Sequence, residues 1–361
     1  MGKKTVSIIG TAGIPSNYGG FETLAENLVV RLGDRISFIV YCSRAKKPGN
    51  MPLEKFRDTR LLSLPLKANG ISSIFYDIIS MLHSIFASDT LLILGVSGCI
   101  ALPFIRLLSG RRIITNLDGM EWKRSKWNSL ARLFLKFSWK LAMKFSHDLI
   151  LDNKCLLNNI PEKYRIKSHL IEYGGDTAIQ TAKKADKAVY PFLDSWYALS
   201  VCRIEPENNI GMILEAFVQL TCFNLVIIGN WENSSWSREL RDKHRDRKNL
   251  FLADAVYDQD ILYDIRSRAG LYIHGHSAGG TNPSLVEIMF HGICIFAYDV
   301  CYNRETTQDS AFYFRDSGSL ADLVRNTKKT DMEASAGIMK EIAQRRYRWD
   351  TIAGKYCSLI G

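Results

Sequence analysis

Short, continuously apolar runs alternate with stretches of helical spacing, and the alternation occurs twice along the chain. Val6–Ile9, Ile36–Cys42, Arg60–Leu64, Leu91–Leu94 and Arg112–Thr115 are strand-like and lack the in–out polarity of a half-exposed strand. Phe21–Leu32, Ile71–Ala87 and Cys99–Leu108 lie between them with helical period; Phe21, Leu24, Ala25, Leu28 and Leu32 share one face. Strands apolar on both sides need cover on both faces, which is the pattern of a parallel α/β sheet. Asp148–Leu151 and Lys167–Ile171 close the first set. The second opens at Trp196–Val201 and runs through Asn224–Ile228, Leu250–Leu252, Leu271–His274 and Ile293–Ala297, with helices near Asn209–Leu220, Ser237–Arg245 and Asp258–Arg266. At 361 residues the chain exceeds one ordinary core. The expected division is residues 1–175, a polar linker at 176–195, residues 196–340, and a helical tail at 341–361 that crosses back to the first domain.

Several function classes are excluded early. The first apolar run, Val6–Ile9, is too short for the hydrophobic region of a signal peptide, and no run approaches the roughly 20 residues of a spanning helix. A cytoplasmic placement, peripheral to the inner face of the cell membrane, is expected. The eight cysteines are scattered without a C-x-x-C pair and read as reduced. His274 and His276 are the only close histidine pair and lack a carboxylate or cysteine beside them, so no metal is expected. Gly10 and Gly13 do not complete G-x-G-x-x-G, and the second strand ends at Cys42-Ser43-Arg44 with no acid for a ribose, which argues against NAD. A net charge of +10 calls for an anionic partner. No helix-turn-helix, zinc module or aromatic stacking motif accompanies the charge, so nucleic acid is not expected.

The chemistry concentrates in a few stretches. His274-Gly-His276-Ser-Ala-Gly279-Gly280-Thr281-Asn282-Pro283-Ser284-Leu285-Val286-Glu287 is a Gly-rich loop between a strand and a helix. Such a loop offers backbone N–H groups to an anion, or simply satisfies the dihedrals of a turn. Gly19-Gly20 stand at the start of the first helix, where a ligand phosphate could approach the backbone. Asp118 and Glu121 follow a strand's carboxyl end, where open α/β sheets place ligands; the alternative is that Asp118 caps the next helix. That helix, near Lys126–Phe145, carries Arg132, Lys136, Lys140 and Lys144 at every fourth position. Its apolar face is read as Trp127, Leu130, Phe134, Leu141 and Phe145, with Leu133, Phe137 and Trp139 beside it, giving a basic amphipathic helix suited to anionic lipid or, as an ordinary two-layer helix, to solvent on its charged face. Arg203 stands at the end of the second set's first strand, where a guanidinium suits a diphosphate, and Glu287 suits a ribose diol. Together these outline a nucleoside-diphosphate site.

At these residues the chain resembles a known family. Gly19-Gly20-Phe21-Glu22, Arg203 with Pro206, and Pro283-Ser284-Leu285-Val286-Glu287 are similar to motifs of GT-B glycosyltransferases of the retaining family 4 type. The Gly10–Glu22 loop, Asp118-Gly-Met-Glu121-Trp122-Lys123-Arg124 and His274–Pro283 resemble a bacterial rhamnosyltransferase-like subgroup of capsule and O-antigen assembly. The resemblance implies an α/β GT-B fold: two Rossmann-like domains facing across a cleft, the first on the acceptor side, the second binding the nucleotide-sugar. It implies a hexosyltransferase without cofactor that moves a sugar, rhamnose foremost, from a dTDP-, UDP- or GDP-sugar to a lipid-diphosphate-linked saccharide at an anionic membrane surface.

Residue by residue, it implies that Gly19 and Gly20, with Glu22, meet the donor's distal phosphate, that Arg203 neutralises the diphosphate, and that Glu287 holds the ribose. Gly280, Thr281 and Asn282 would line the sugar beside Ser284 and Leu285, and Asp118 would face the reaction centre. Glu121, Trp122, Lys123 and Arg124, with the basic stripe, would serve the acceptor and membrane side. Two positions depart from the family pattern. Gly279 stands where a first glutamate is usual, leaving its sugar contact absent or supplied by His276 or Asn282. Asn208 stands where a phosphate lysine is usual, and Lys123, Arg124 or Arg304 could replace its charge. The competing readings are a GT-B nucleotide-sugar epimerase, told apart by conversion of free nucleotide-sugar, and a non-catalytic nucleotide-sugar-binding protein, told apart by binding without turnover.

Overall fold

The apolar runs form the strands of two sheets. In the computed structural model, residues 2–16, 19–43, 54–123, 127–179 and 183–361 are described. The chain divides into two compact units, Met1–Glu172 with Asp350–Gly361, and Tyr173–Trp349.

In the first unit, β1 (Lys4–Ile9), β2 (Ile36–Ser43), β3 (Lys55–Phe56), β4 (Thr59–Leu64), β5 (Thr90–Leu94), β6 (Arg112–Asn116), β7 (Asp148–Leu151) and β8 (Ser168–Leu170) make one sheet. Its order is β3-β4-β2-β1-β5-β6-β7-β8. All its pairings are parallel except β3 with β4. All five residues of β5 and the last four of β1 are buried, as continuous apolar runs require. The helix Trp349–Ile360 belongs almost wholly to this unit. Asp350 pairs with Arg31, Lys355 with Glu172, and Tyr356 Oη accepts from Asn116 Nδ2.

The second unit carries β9 (Tyr197–Val201), β10 (Asn224–Ile228), β11 (Leu250–Ala253), β12 (Leu271–His274), β13 (Ile295–Tyr298) and β14 (Phe312–Phe314). They are ordered β11-β10-β9-β12-β13-β14, all parallel. The segment read as a linker, 176–195, is part of this unit: Ala185, Phe192 and Leu193 are buried in its core with Tyr197, Ile265 and Ile288. The segment reads as polar because only Ala178, Ala185, Phe192 and Leu193 of it are buried apolar residues, while Ile179, Val189 and the charged Lys183, Lys184, Asp186 and Lys187 are exposed. The expected tail also divides. The helix Lys329–Arg346 buries Met339, Ile342 and Ala343 in the second unit, and the change of unit falls between Trp349 and Asp350.

Candidate active site

The second sheet is wound in both directions from its first strand. From β9 the chain steps one way to β10 and β11, then returns to the other side for β12, β13 and β14. The carboxyl ends of β9 and β12 therefore flank the switch point, where open α/β sheets bind ligands. Arg203 follows β9 and the His274–Asn282 loop follows β12. The fold thus brings these two stretches together at the ends of adjacent strands.

Asn208 ties them. Its Nδ2 donates to the Arg203 carbonyl at 2.7 Å, which turns Oδ1 toward His276 Nδ1 at 2.8 Å. An amide oxygen can only accept, so His276 carries a proton on Nδ1, and in the neutral ring this leaves Nε2 as an acceptor. Nε2 lies 3.5 Å from where a Cβ on Gly279 would stand, and Gly279 itself has φ +97°. Asn208 is thus buried and engaged with protein at both ends, and no phosphate contact need be assigned to it. Its neighbours fix the same loop. Ser277 donates through N–H and Oγ to the Glu207 carbonyl, Asn209 Nδ2 donates to the Gly275 carbonyl, and Asn303 Nδ2 donates to the carbonyls of His276 and Tyr298. Gly275 is required here, because a Cβ would lie 2.1 Å from the Asn208 carbonyl oxygen. His274 beneath the loop is fully buried; burial, then the charge of His276, holds its pKa well below the ordinary histidine value.

The helix Pro283–Met289 leaves the loop, with Asn282 as its cap. Asn282 Oδ1 accepts from Ser284 N–H and from Ser284 Oγ, and the Asn282 carbonyl accepts from the N–H groups of Leu285 and Val286. The helix-start amides expected to meet an anion are therefore taken up by this cap. The Leu285 side chain lies in the core rather than toward a ligand. Glu287, 23% exposed, accepts through Oε2 from Arg266 Nη2 at 2.6 Å. Arg266 is 3% exposed and its Nε has no partner among the described residues.

Arg304 is held by acids. Nε reaches Asp299 at 2.5 Å, Nη1 reaches Asp309 at 3.0 Å, and the guanidinium lies 4.0 Å from the Tyr313 ring centre. Its pKa is raised, first by the Asp299 bond and then by Asp309. A diphosphate would have to displace two carboxylates to recruit it. Arg203 has one carboxylate partner among the described residues, Glu205, at 3.6 Å, and is 42% exposed.

The first sheet has its own switch point between β1 and β5. Gly10 at the end of β1 has φ +94°, and a Cβ there would meet the Leu94 carbonyl oxygen at 2.0 Å. Glu22 does not point away from the Gly-rich loop: Oε1 accepts from Ala12 N–H at 2.7 Å, and its carboxylate crowds the Cβ position of Gly19. Glu26 accepts from both N–H and Oγ of Ser16 at 2.6 Å. Both acids bind the loop to the helix Gly20–Leu32, so Glu22 acts here as a clamp on the backbone rather than as an open ligand. Gly20 is the helix's first residue.

Asp118 follows β6 with φ +56°, a left-handed conformation that aspartate tolerates, and its N–H donates to Asn116 Oδ1. It does not cap the long helix; Asn128 does, accepting from Ala131 N–H. Glu121 accepts from Trp127 Nε1, and Trp122 stacks edge-on against Trp139. Lys123 is exposed and Arg124 lies outside the described residues. The helix begins at Ser129 and exposes Arg132, Lys136, Lys140 and Lys144 as one stripe. Its packed face differs from the expected one. Leu135, Ser138, Trp139, Ala142 and Met143 are buried, whereas Leu130, Leu133 and Phe137 are exposed.

Three residues that shape the second unit's site escaped the sequence reading. Arg266 sits in a charged helix turn beside Arg268, and nothing in spacing marks which arginine turns inward. Asn303 lies next to Arg304, which drew the attention as the charged residue. Tyr272 lies in a strand buried along its whole length, and its hydroxyl donates to the Val201 carbonyl across the switch point.

Comparison with known proteins adds the class. Residues 182–340 match the model of Glycosyl transferases group 1, and residues 3–176 match the Domain of unknown function (DUF1972). No curated protein matches the chain in sequence. Solved structures do match in fold. Sucrose-phosphate synthase from Thermosynechococcus elongatus has a TM-score of 0.78 at 13% identity, over 99% of this chain and 98% of that one. HepE from Anabaena in complex with UDP and glucose has a TM-score of 0.74 at 13% identity, over 99% of both chains. Trehalose-6-phosphate synthase OtsA has a TM-score of 0.72 at 11% identity, over 99% and 98%. Two parallel α/β units matching along the whole chain define the GT-B architecture. With the group 1 domain in its second half, this chain is a glycosyltransferase.

Proposed function

We propose that the chain is a retaining glycosyltransferase that takes a sugar from a nucleotide-diphosphate sugar and passes it to a lipid-diphosphate-linked glycan in bacterial surface polysaccharide synthesis. The observation that carries the donor side is the pairing of Arg203 with the His276–Asn282 loop at the switch point between β9 and β12. The solved complexes of HepE with UDP and with UDP-glucose support a nucleotide-sugar of this kind. In this reading Arg203 exchanges Glu205 for the diphosphate and stabilises the charge that develops as the sugar leaves. His276, its tautomer set by Asn208, accepts from a sugar hydroxyl at the place a longer side chain on residue 279 would fill. Glu287, oriented by Arg266, accepts from the ribose, and the Gly280–Asn282 backbone lines the sugar. Asp118 faces the acceptor hydroxyl, and the departing phosphate takes its proton.

The sequence likeness at Asp118–Arg124 and His274–Pro283 favours rhamnose, carried on dTDP, UDP or GDP. A lipid-linked acceptor puts the enzyme at the inner face of the cell membrane, with Arg132, Lys136, Lys140 and Lys144 toward anionic headgroups. The test is a thermal-shift panel of nucleotide-sugars, in which a ligand at about 100 times its Kd stabilises by about 2.7 kcal/mol. Transfer is then assayed with the donor found. Arg203→Ala should abolish transfer and donor stabilisation while the unliganded protein melts as before. Near-normal turnover by that variant would overturn the assignment.

A further inference from the structure

The first unit presents an apolar face that its own fold leaves uncovered. The chain steps from β4 to β5, β6 and β7 in one direction across the sheet. Right-handed crossovers therefore put the helices Ser72–Ala87, Leu102–Leu108 and Ser129–Phe145 on the same side, and neighbours among them pack together. On the first helix the outward positions follow helical spacing and are apolar: Ile71 just before it, then Phe75, Ile79, Leu82 and Phe86. On the second they are Phe104, Leu107 and Leu108, and on the third Leu130, Leu133 and Phe137. Eleven of the seventeen exposed large apolar residues among those described lie on these three elements, so the exposure is concentrated rather than scattered.

The charges beside them are of one sign. Arg106, Arg132, Lys136, Lys140 and Lys144 are exposed on the same helices. The one acid the three helices contain is Asp77, which is buried and bonded to Ser97. An apolar face with a rim of cations and no exposed carboxylate fits the headgroup–acyl boundary of an anionic bilayer. It fits a second copy of the chain poorly, because a self-complementary contact would set the same cations against each other. No helix among the described residues is long and apolar enough to cross a membrane.

We propose that these three helices form an insertion platform, which seats Phe75, Phe86, Phe104 and Leu107 among the acyl chains of an anionic membrane while the lysine stripe meets the headgroups. This deepens the membrane part of the function proposed above and makes no use of the donor site. It predicts binding that salt weakens but does not abolish, since inserted apolar area is not screened.

The test is flotation of the full chain with vesicles of equal parts phosphatidylglycerol and phosphatidylcholine, at low and high salt. Each inserted side chain contributes roughly a tenfold gain in partitioning. Phe75→Ser, Phe86→Ser, Phe104→Ser and Leu107→Ser together should abolish flotation at both salt levels. Leu130→Ser with Leu133→Ser, on a separate helix, should weaken it by roughly a hundredfold. Lys136→Glu, Lys140→Glu and Lys144→Glu together should weaken it chiefly at low salt. All positions are exposed, so unchanged melting is the folding control. Flotation of the serine variants equal to the native protein overturns the proposal. So does a native dimer in sedimentation that the serine variants convert to monomer, which assigns the face to a second copy. Donor stabilisation in the thermal shift should be equal in native and serine variants. Its absence from both would sink the transferase reading and leave the platform standing.

Discussion

Glu287 pairs with Arg266 and, in the proposed reading, also holds the donor's ribose. Glu287→Gln keeps the side chain's size but removes the charge that faces Arg266. Arg266 is 3% exposed, its Nε is without a partner among the described residues, and the carboxylate stands 2.6 Å from its Nη2. Removing one partner of a buried pair costs about 3–5 kcal/mol, because the remaining charge stays buried and uncompensated. Glu287 is itself 23% exposed, and water there screens part of the loss. We therefore take the low end, about 3 kcal/mol. The second unit spans Tyr173–Trp349, and in a domain of that size each kcal/mol moves Tm by about 2–4 °C. The expected fall is about 6–12 °C, read by calorimetry on the full chain near pH 7. The double variant Arg266→Met with Glu287→Gln removes both charges and should melt above Glu287→Gln alone, with a coupling of about 2 kcal/mol or more. Donor stabilisation should be lost in both variants if Glu287 also holds the ribose. A Glu287→Gln protein that melts with the native one, or a double variant no better than the single, refutes the ion-pair argument.

Two further outcomes follow from buried groups. Burial pushes the Asp77 carboxyl up to about 7, against hydrogen bonds from Ser97 and Gly98 that lower it, so the folded chain holds this proton more tightly than the unfolded chain. The stability this confers is full below the unfolded value of 3.8 and is lost as pH rises toward about 7. Asp77→Asn has no proton to lose, so its Tm should fall less than the native Tm between those two pH values; an equal or steeper fall would count against a buried acid. Gly275→Ala drives a Cβ to 2.1 Å from the Asn208 carbonyl oxygen and 2.8 Å from Ile213 Cδ1. Overpacking of this kind costs about 1–3 kcal/mol, and here it also shifts Asn208 away from His276, so donor stabilisation should fall with it. Gly211→Ala, in the first turn of the helix Ile210–Val218, is the control: nothing lies within 4 Å of its added Cβ, so stability in urea unfolding should not fall.

The alternation of apolar runs and helical spacing was enough to read the parallel strands of the two sheets apart from the short edge strand β14, and not the antiparallel β3, because a strand buried on both faces has few polar positions to mislead. The linker was misread for the opposite reason. Lys183, Lys184, Asp186 and Lys187 dominate its composition, while its attachment rests on Ala185, Phe192 and Leu193. Backbone glycines were legible as a loop, but not what the loop's amides do. The Asn282 cap consumes three of them, a choice set by side-chain geometry that spacing does not encode. The long basic helix was given the wrong packed face because its leucines and phenylalanines occur on every side. In such a helix, apolar period alone does not tell the core from an exposed apolar surface.

Charge near the donor loop is a matter of which cation is least committed. A site for a diphosphate must offer positive charge that an incoming anion can recruit at small cost. Arg266 is buried against Glu287 and cannot turn outward without breaking that pair. Arg304 would surrender Asp299 at 2.5 Å, Asp309 at 3.0 Å and its place over Tyr313. Arg315 shares Asp299 with it, so freeing either would disturb both. Arg203 gives up only a 3.6 Å contact with Glu205. Its backbone carbonyl is meanwhile fixed by Asn208, so the side chain can swing while its root stays aligned with His276. The asparagine that stands where a second cation is usual thus contributes position instead of charge, and in the proposed reading Arg203 is the least committed of these arginines to neutralise the leaving group.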